Sequence, residues 1–290
     1  MNRGWNRVVP YLLVLPNVLI FAVFVLFPVL WIIYLSFTDY TMLKPPAWTG
    51  SKNYSRLLHD SIFHKAVLNT VWYWLCTVVP SMLIGLVLAA LLTMQLRLVA
   101  VFRAMIYLPG VLSSVAVAMT WLWLLDAQQG PVNRVLAVLG FAGKNWLRDP
   151  NTSLPSIIVI GIWTGLGFAM IVLLAGIQGI SESLYEAAAL DGATGLQKFR
   201  FITVPLLKPM LLFLFITATI RSFQVFDLVY ILTGGGPANS STTIVTQIVG
   251  ASFQEYRMGY ASSMAVFLLG ITMTITLLQY WLGSRNQATE

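Results

Sequence analysis

The stretch SESLYEAAALDG, residues 181–192, lies between two long apolar segments and decides how the chain is interpreted. Ser183 is followed three residues later by Glu186, which is the spacing of a capping box at a helix start. The alanines that come next are the strongest helix formers. Gly192 then predicts a left-handed end to this helix. The stretch therefore predicts a short helix in a polar connection.

A second short helix is expected directly after the first. Thr194 is a suitable starting residue, and Val204-Pro205 is expected to end the helix. Residues 181–205 are thus predicted to form two short helices at a membrane surface. From the residues alone, such a loop either binds another protein or simply joins two spans.

On both sides of this loop, five or six apolar segments reach the roughly 20 residues that a membrane-spanning helix needs. None has the ten-residue alternation of a barrel strand, so helices are predicted. The predicted spans are approximately 11–36, 68–93, 104–125, 155–177, 206–232 and 261–282.

Composition supports a polytopic membrane protein. Of the 290 residues, 58% are hydrophobic and 9% are charged, and the mean hydropathy is +0.80. A soluble domain has about a quarter charged residues. The net charge of +7 comes from basic residues scattered through short polar segments, so they are interpreted as flanks of spans and not as a nucleic-acid surface. If both termini are cytoplasmic, the basic residues divide evenly between the inner and outer segments. The inner segments are shorter in total, so their density of basic residues is higher, which favours cytoplasmic termini.

Catalytic signatures are absent from the sequence. No G-x-x-x-x-G-K-[ST] nucleotide-binding loop occurs, so the chain is not expected to hydrolyse ATP. His59 and His64 are the only histidines, and two solvated side chains are favoured over a zinc site. We therefore predict a protein that is not an enzyme and binds no metal or cofactor itself.

The loop carries a family resemblance. Glu186-Ala187-Ala188, followed by Gly192, Ile202 and Val204-Pro205 at the family's spacing, resembles the EAA loop of ABC-importer permeases. One departure is Val204, since the family usually has leucine before the proline. Further signatures narrow the resemblance to carbohydrate permeases of the maltose and glycerol-phosphate group. The most specific is FDLVYILTGGGP, residues 226–237, together with Gly259-Tyr260-Ala261-Ser262.

The resemblance implies a fold, a set of partners and an activity. It implies the six-helix fold of a type I importer permease in the cytoplasmic (inner) membrane of a prokaryote. The implied partners are a second permease subunit, two ATPase subunits that hold ATP and magnesium, and an extracytoplasmic solute-binding protein. The implied activity is import of a sugar or polyol by alternating access.

Site residues follow from the resemblance and from polar groups inside spans, where ionisable side chains are costly. The predicted ATPase-coupling residues are Leu184, Tyr185, Glu186, Ala187, Ala188, Asp191 and Gly192. The predicted substrate-pathway residues are Phe168, Arg221, Ser222 and Gln224. Those predicted to be structural are Asp227, Gly234, Gly235 and Pro237, with Asp227 expected to accept hydrogen bonds from the turn at 233–236 or to cap a helix. Gly161-x-x-x-Gly165 is interpreted as a helix-packing face.

Two other functional classes fit the sequence less well. A membrane-embedded enzyme would need convergent acids, histidines or a metal site, which the sequence lacks. A secondary transporter driven by an ion gradient would be expected to show an internal repeat with broken helices, and no convincing repeat is visible.

Overall fold

The computed structural model describes residues 5–93 and 98–285. These residues are predominantly helical, which confirms the predicted all-α fold, and they include one short hairpin of β1 (Thr38–Asp39) and β2 (Ala47–Trp48). The helices are α1 (Trp5–Phe21), α2 (Phe27–Ser36), α3 (Lys52–His59), α4 (Ser61–Leu91), α5 (Val99–Val111), α6 (Ser114–Leu124), α7 (Pro131–Val138), α8 (Ser153–Gln178), α9 (Glu182–Leu190), α10 (Gly195–Lys198), α11 (Val204–Leu206), α12 (Lys208–Phe223), α13 (Asp227–Leu232), α14 (Ile244–Val249) and α15 (Met258–Arg285).

Four helical stretches are long and apolar enough to cross a membrane, and two bent helix pairs raise the possible number of spans to six. The four are Leu13–Ser36, α4, α8 and Met258–Ser284. The first of them passes through a π-helical turn at Ala22–Leu26. Helix α4 begins at Ser61, before the predicted start at 68, because Ser61, His64 and Lys65 lower the hydropathy of its first two turns.

The predicted third span, 104–125, is not one helix. It is formed by α5 and α6, which meet at an angle of 98°. Leu112 and Ser113 have extended backbone torsions, with ψ of 151° and 129°, so the helical hydrogen-bond ladder stops there. Pro109, which cannot donate a backbone hydrogen bond, lies just before the break.

The predicted fifth span, 206–232, is also divided. The segment Gly195–Leu206 meets α12 at an angle of 63°, and Pro209 at the start of α12 explains why the ladder is not continuous there. A second break separates α12 from α13 at residues 224–226, where Phe226 has φ −135° and ψ −62°. The expectation that Val204-Pro205 ends the second short helix is wrong, because helical structure continues to Leu206.

The chain divides into two compact units. The N-terminal unit comprises residues 5–60 and 247–269. The central unit comprises the described residues of 61–246 and 270–285. A single permease domain over 1–290 stays a prediction.

In the N-terminal unit, the segment after α2 is held by side-chain bonds and a close backbone contact. The Asn53 carboxamide donates to the carbonyl oxygens of Ser36 and Thr38, both at 2.9 Å. A Cβ on Gly259 would lie 2.0 Å from the Thr38 carbonyl oxygen. Only glycine fits at this position of α15, which gives the Gly259-Tyr260 signature a packing role.

The central unit is built on the packing of α4 and α5 against α8. Gly85 of α4 approaches Ala169 so closely that a Cβ on Gly85 would lie 2.8 Å from the Ala169 methyl carbon. Gly167 makes a similar approach to the backbone of Tyr107 in α5. Small residues thus let these helices pack at short distances, as is usual inside membranes.

The connection between α6 and α8 is organised by one buried side chain, Asn133 of α7. Its carboxamide donates to the carbonyl oxygens of Ala127 and Lys144, at 3.0 and 2.9 Å. Its oxygen accepts from the Lys144 backbone N–H and from the Trp146 indole, at 3.1 and 2.8 Å. Nearby, hydrogen bonds from the backbone N–H groups of Gln129 and Gln128 lower the pKa of Asp126.

We expect Asn133→Ala to lower the free energy of unfolding by about 3 kcal/mol, because several buried partners lose their hydrogen bonds. Thermal unfolding of the detergent-solubilised protein and the rate of limited proteolysis within 126–152 measure this effect. Asn151→Ala, at an exposed position of the same connection, is the control. Equal stability and equal proteolysis for the two variants would contradict the assigned role.

Candidate functional site

The central unit encloses a cavity of about 480 Å³, lined by residues of α4, α5, α6, α8, α12 and α13 and of the break between α12 and α13. All four predicted pathway residues, Phe168, Arg221, Ser222 and Gln224, lie on its wall. Phe168 lies on α8, whereas the other three lie on α12 or directly after it, so the fold brings distant parts of the sequence to the same cavity. A cavity of this size suits a small organic ligand.

The Arg221 guanidinium lies over the ring of Phe168, with its central carbon 5.1 Å from the ring centroid. This is a cation–π contact between α12 and α8. Within residues 5–93 and 98–285, Arg221 forms no ion pair. The cavity wall therefore carries a positive charge held by an aromatic face and not by a carboxylate.

The side chains of Ser222 and Gln224 differ in how available they are for hydrogen bonds to a ligand. The Ser222 hydroxyl donates to the carbonyl oxygen of Ala218 at 2.8 Å, so its proton is used within α12. The Gln224 backbone N–H bonds to the Arg221 carbonyl oxygen, and its side chain is exposed at the end of α12. Gln224 is thus the more accessible hydrogen-bonding group of the two.

Asp227 is the exposed first residue of α13 and lines the same cavity. The turn at 233–236 is held by Thr233 and Ser241, whose hydroxyl oxygens lie 2.8 Å apart, and the Thr233 hydroxyl accepts from the Gly235 N–H. Within the described residues, Asp227 accepts no hydrogen bond from this turn. Its alternative role as the cap of a helix stays a prediction.

Two glycines predicted to be structural lie in that turn. Gly234 and Gly235 have φ of +60° and +88°, in the left-handed region that glycine adopts without strain. Pro237 follows through a cis peptide bond with Gly236. The Asn69 carboxamide donates to the Thr242 carbonyl oxygen at 2.9 Å, which ties this segment to α4.

Most residues of the cavity wall, including hydroxyl residues of α4, were not predicted as pathway residues. Tyr73, Thr77 and Ser81 of α4 all line the cavity. The signal that could have found them is hydroxyl side chains at every fourth residue of an otherwise apolar helix. They face the predicted packing glycines of α8, Gly161 and Gly165, which do pack closely against α4.

The loop at 181–205 has the two predicted short helices. The capping box, however, lies at the start of the second helix and not of the first. The expected Ser183–Glu186 capping box does not form, because α9 begins at Glu182 and the Ser183 hydroxyl contacts that of Ser181 at 2.7 Å. A capping box forms instead at the second helix, where Thr194 and Gln197 bond reciprocally.

The left-handed end of α9 is confirmed. Gly192 has φ +76°, and its N–H bonds to the Ala189 carbonyl oxygen at 3.0 Å. The N–H of Ala193 bonds to the Ala188 carbonyl oxygen at 2.9 Å. These bonds close the helix and turn the chain toward Thr194.

The predicted coupling residues fall into three groups. Leu184, Glu186 and Ala187 are exposed. Tyr185 is half-buried, and its hydroxyl lies 2.8 Å from that of Thr203, so it holds the loop together. The remaining three line a hollow of about 300 Å³ beside Lys198 and Phe201; they are Ala188, Asp191 and Gly192.

The most exposed apolar side chains of this loop were not predicted as contacts. Leu190, Leu196 and Phe201 are 90%, 76% and 69% exposed. All three lie in the polar loop that joins α8 to α12. Among the described residues, no cluster of three or more His, Cys, Asp or Glu side chains could hold a metal ion.

Comparison with known proteins identifies similar chains. The sequence profile described as "Binding-protein-dependent transport system inner membrane component" matches residues 70–287. The chain is 36% identical to the lactose transport system permease protein of Rhizobium radiobacter, over 96% of this chain and 93% of that protein. It is 34% identical to the trehalose/maltose transport system permease protein of Thermococcus litoralis, over 93% and 92%.

A solved structure has the same fold. It is a chain of a bacterial ABC transporter involved in the import of the acidic polysaccharide alginate, with a TM-score of 0.86 and 26% identity. The match covers 98% of this chain and 99% of that chain.

Proposed function

The chain belongs to the family of binding-protein-dependent transport system inner membrane components, and from this premise we propose that it forms half of the pathway of an ATP-driven sugar importer. The observation that carries the proposal is the cavity in which Phe168 and Arg221 meet. An aromatic face with polar neighbours suits a sugar, whose C–H faces stack and whose hydroxyl groups hydrogen-bond. Named relatives transport lactose, trehalose and maltose, which supports a sugar or related polyol.

The proposed assembly has four kinds of partner. A second permease subunit completes the pathway, two ATPase subunits bind ATP and magnesium at the cytoplasmic face, and a solute-binding protein delivers the substrate on the other side. The bilayer is the cytoplasmic (inner) membrane of a prokaryote. Both termini are proposed to be cytoplasmic, although residues 1–4 and 286–290 lie outside the described residues. No nucleic-acid partner is proposed.

Transport is proposed to proceed by alternating access. Closure of the ATPase pair on ATP moves the loop at 181–205, and α12, which follows this loop after one bend, transmits the movement to the cavity wall. Glu186 and Leu184 contact the ATPase, while Tyr185 keeps the two short helices together through Thr203. Phe168 and Arg221 hold the substrate between the two states.

Uptake by the reconstituted assembly tests the proposed function. The permease pair, ATPase subunits and binding protein are placed in proteoliposomes, and entry of labelled maltose, trehalose or lactose is followed. We expect uptake that requires ATP and the binding protein and persists when a protonophore collapses the proton gradient. Loss of uptake with ATP retained would instead support an ion-gradient transporter, an alternative that the comparisons do not favour.

The exposed apolar surface of the loop gives a second prediction. Leu190→Asp is expected to weaken co-purification of the ATPase subunits about tenfold, because a charge would have to be desolvated in the interface. The fold should tolerate it, since this side chain is 90% exposed. Val138→Asp, at an 87% exposed position in the connection between α6 and α8, is the matched control. Equal co-purification of both variants would remove Leu190 from the interface.

A further inference from the structure

A row of hydroxyl groups runs along one face of α4, beside the cavity. Tyr73, Thr77 and Ser81 are four residues apart, so they lie above one another on the helix. All three line the cavity that contains Phe168 and Arg221. This row belongs to a different helix from the pathway residues described above.

Two hydroxyl groups of this row do not bond to the backbone of their own helix. Thr77 and Ser81 are each 7% exposed. The Ser81 hydroxyl oxygen has no hydrogen-bond partner within the described residues, and the polar neighbour of the Thr77 hydroxyl is the Tyr73 hydroxyl of the same row. Two other buried hydroxyls of the central unit return a hydrogen bond to their own helix: Thr70 donates to the Ala66 carbonyl oxygen at 2.8 Å, and Thr219 to that of Phe215 at 2.7 Å. Leaving a buried hydroxyl unpaired is unfavourable, especially where lipid excludes water.

Glycines on α8 let its backbone pass directly over the row. A Cβ on Gly161 would lie 2.5 Å from the Tyr73 hydroxyl oxygen and 3.1 Å from the Thr77 methyl carbon, and one on Gly165 would lie 3.3 Å from the Ser81 hydroxyl oxygen. Any larger residue would collide with this row. The row therefore lies under the part of α8 that has no side chains, at the edge of the cavity.

We infer that Thr77 and Ser81 form a second hydrogen-bonding wall of the pathway, which receives hydroxyl groups of the transported sugar. This inference rests on the proposed function. Rotation of Ser81 about χ1 moves its oxygen toward the cavity without moving the backbone. A hydroxyl both donates and accepts, so it matches the hydroxyls of a neutral sugar without selecting a charge. Phe168 supplies the stacking face, and α4 supplies the hydrogen bonds.

The test uses Ser81→Ala and Thr77→Val in the reconstituted assembly. The probe is whichever of maltose, trehalose and lactose the wild-type assembly takes up fastest. We expect the KM for uptake to rise about five- to tenfold in each variant, as one hydrogen bond to the ligand is lost. The unfolding temperature of Ser81→Ala should stay equal or rise, because an unpaired buried polar group has been removed. Among deoxy analogues of the probe, we expect one whose KM is the same for wild type and Ser81→Ala, because that analogue lacks the hydroxyl that Ser81 binds.

Thr120→Val is the matched control, since the Thr120 hydroxyl is exposed and donates to the Ala116 carbonyl oxygen at 2.8 Å. Its KM should equal that of the wild type. A KM within twofold of wild type in both test variants would overturn the inference and leave the proposed function intact. A lowered unfolding temperature with a parallel loss of uptake would assign the hydroxyls to helix packing instead. Failure of the wild-type assembly to take up any of the three sugars would refute the proposed function itself.

Discussion

Gly192→Val is expected to reduce ATP-driven uptake about tenfold or more. Gly192 has φ +76°, where a residue with a side chain is strained by roughly 1–2 kcal/mol and a β-branched residue by more. A Cβ at this position would meet nothing within 4 Å, so the strain comes from the backbone and not from a collision. Relief of that strain would change the direction in which the chain leaves α9. The helix that we propose to dock on the ATPase would then be misplaced.

Gly192→Asn is the control that separates conformation from side-chain size. Asparagine tolerates the left-handed region far better than valine, although it is no smaller. We expect the asparagine variant to keep most of the uptake and of the co-purified ATPase. If valine and asparagine reduced uptake equally, the backbone conformation of Gly192 would not be what coupling requires.

Phe168→Ala is expected to raise the KM for sugar uptake about tenfold or more. The substitution removes the stacking face for the substrate and also the ring that holds the Arg221 guanidinium, 5.1 Å from the ring centroid. Each contact of this kind contributes roughly 1 kcal/mol or more when shielded from water. Uptake kinetics in proteoliposomes, with protein amounts matched, measure the effect.

Two further variants identify which property of Phe168 matters. Phe168→Tyr keeps the ring and should retain a KM near that of wild type. Phe168→Leu keeps apolar volume but loses the aromatic face, so its KM should approach that of the alanine variant. A leucine variant with wild-type kinetics would show that Phe168 only fills space.

Features set by local chemistry could be predicted from the sequence, and features set by tertiary contacts could not. The left-handed end at Gly192 and the helix start at Thr194 depend on neighbouring residues, and both are confirmed. Ser183–Glu186 and Thr194–Gln197 have the same spacing, yet only the second pair forms a capping box. Which pair forms a capping box depends on the residue at which the helix begins, and α9 begins at Glu182, before Ser183. The spacing of two residues alone does not predict that starting residue.

The helix break at residues 224–226 was missed for a related reason. Residues 224–226 contain neither proline nor glycine, and hydropathy is similar on both sides, so periodicity predicts a continuous helix. The cavity could not be predicted in full, because it needs Thr77 of α4, Phe168 of α8 and Arg221 of α12 in one place. Sequence identified the charged and aromatic members and overlooked the hydroxyl row.

The break between α12 and α13 has an electrostatic consequence. Arg221 precedes the break and Asp227 follows it, so these opposite charges are carried by separate rigid segments. In a continuous helix their separation would be fixed by the helical rise. Here it is set by the torsion angles of residues 224–226, so a rotation of α13 alone changes the electric field across the cavity. In the proposed transport cycle, a change in these torsion angles would alter the distance between the two charges while every helix keeps its internal hydrogen bonds.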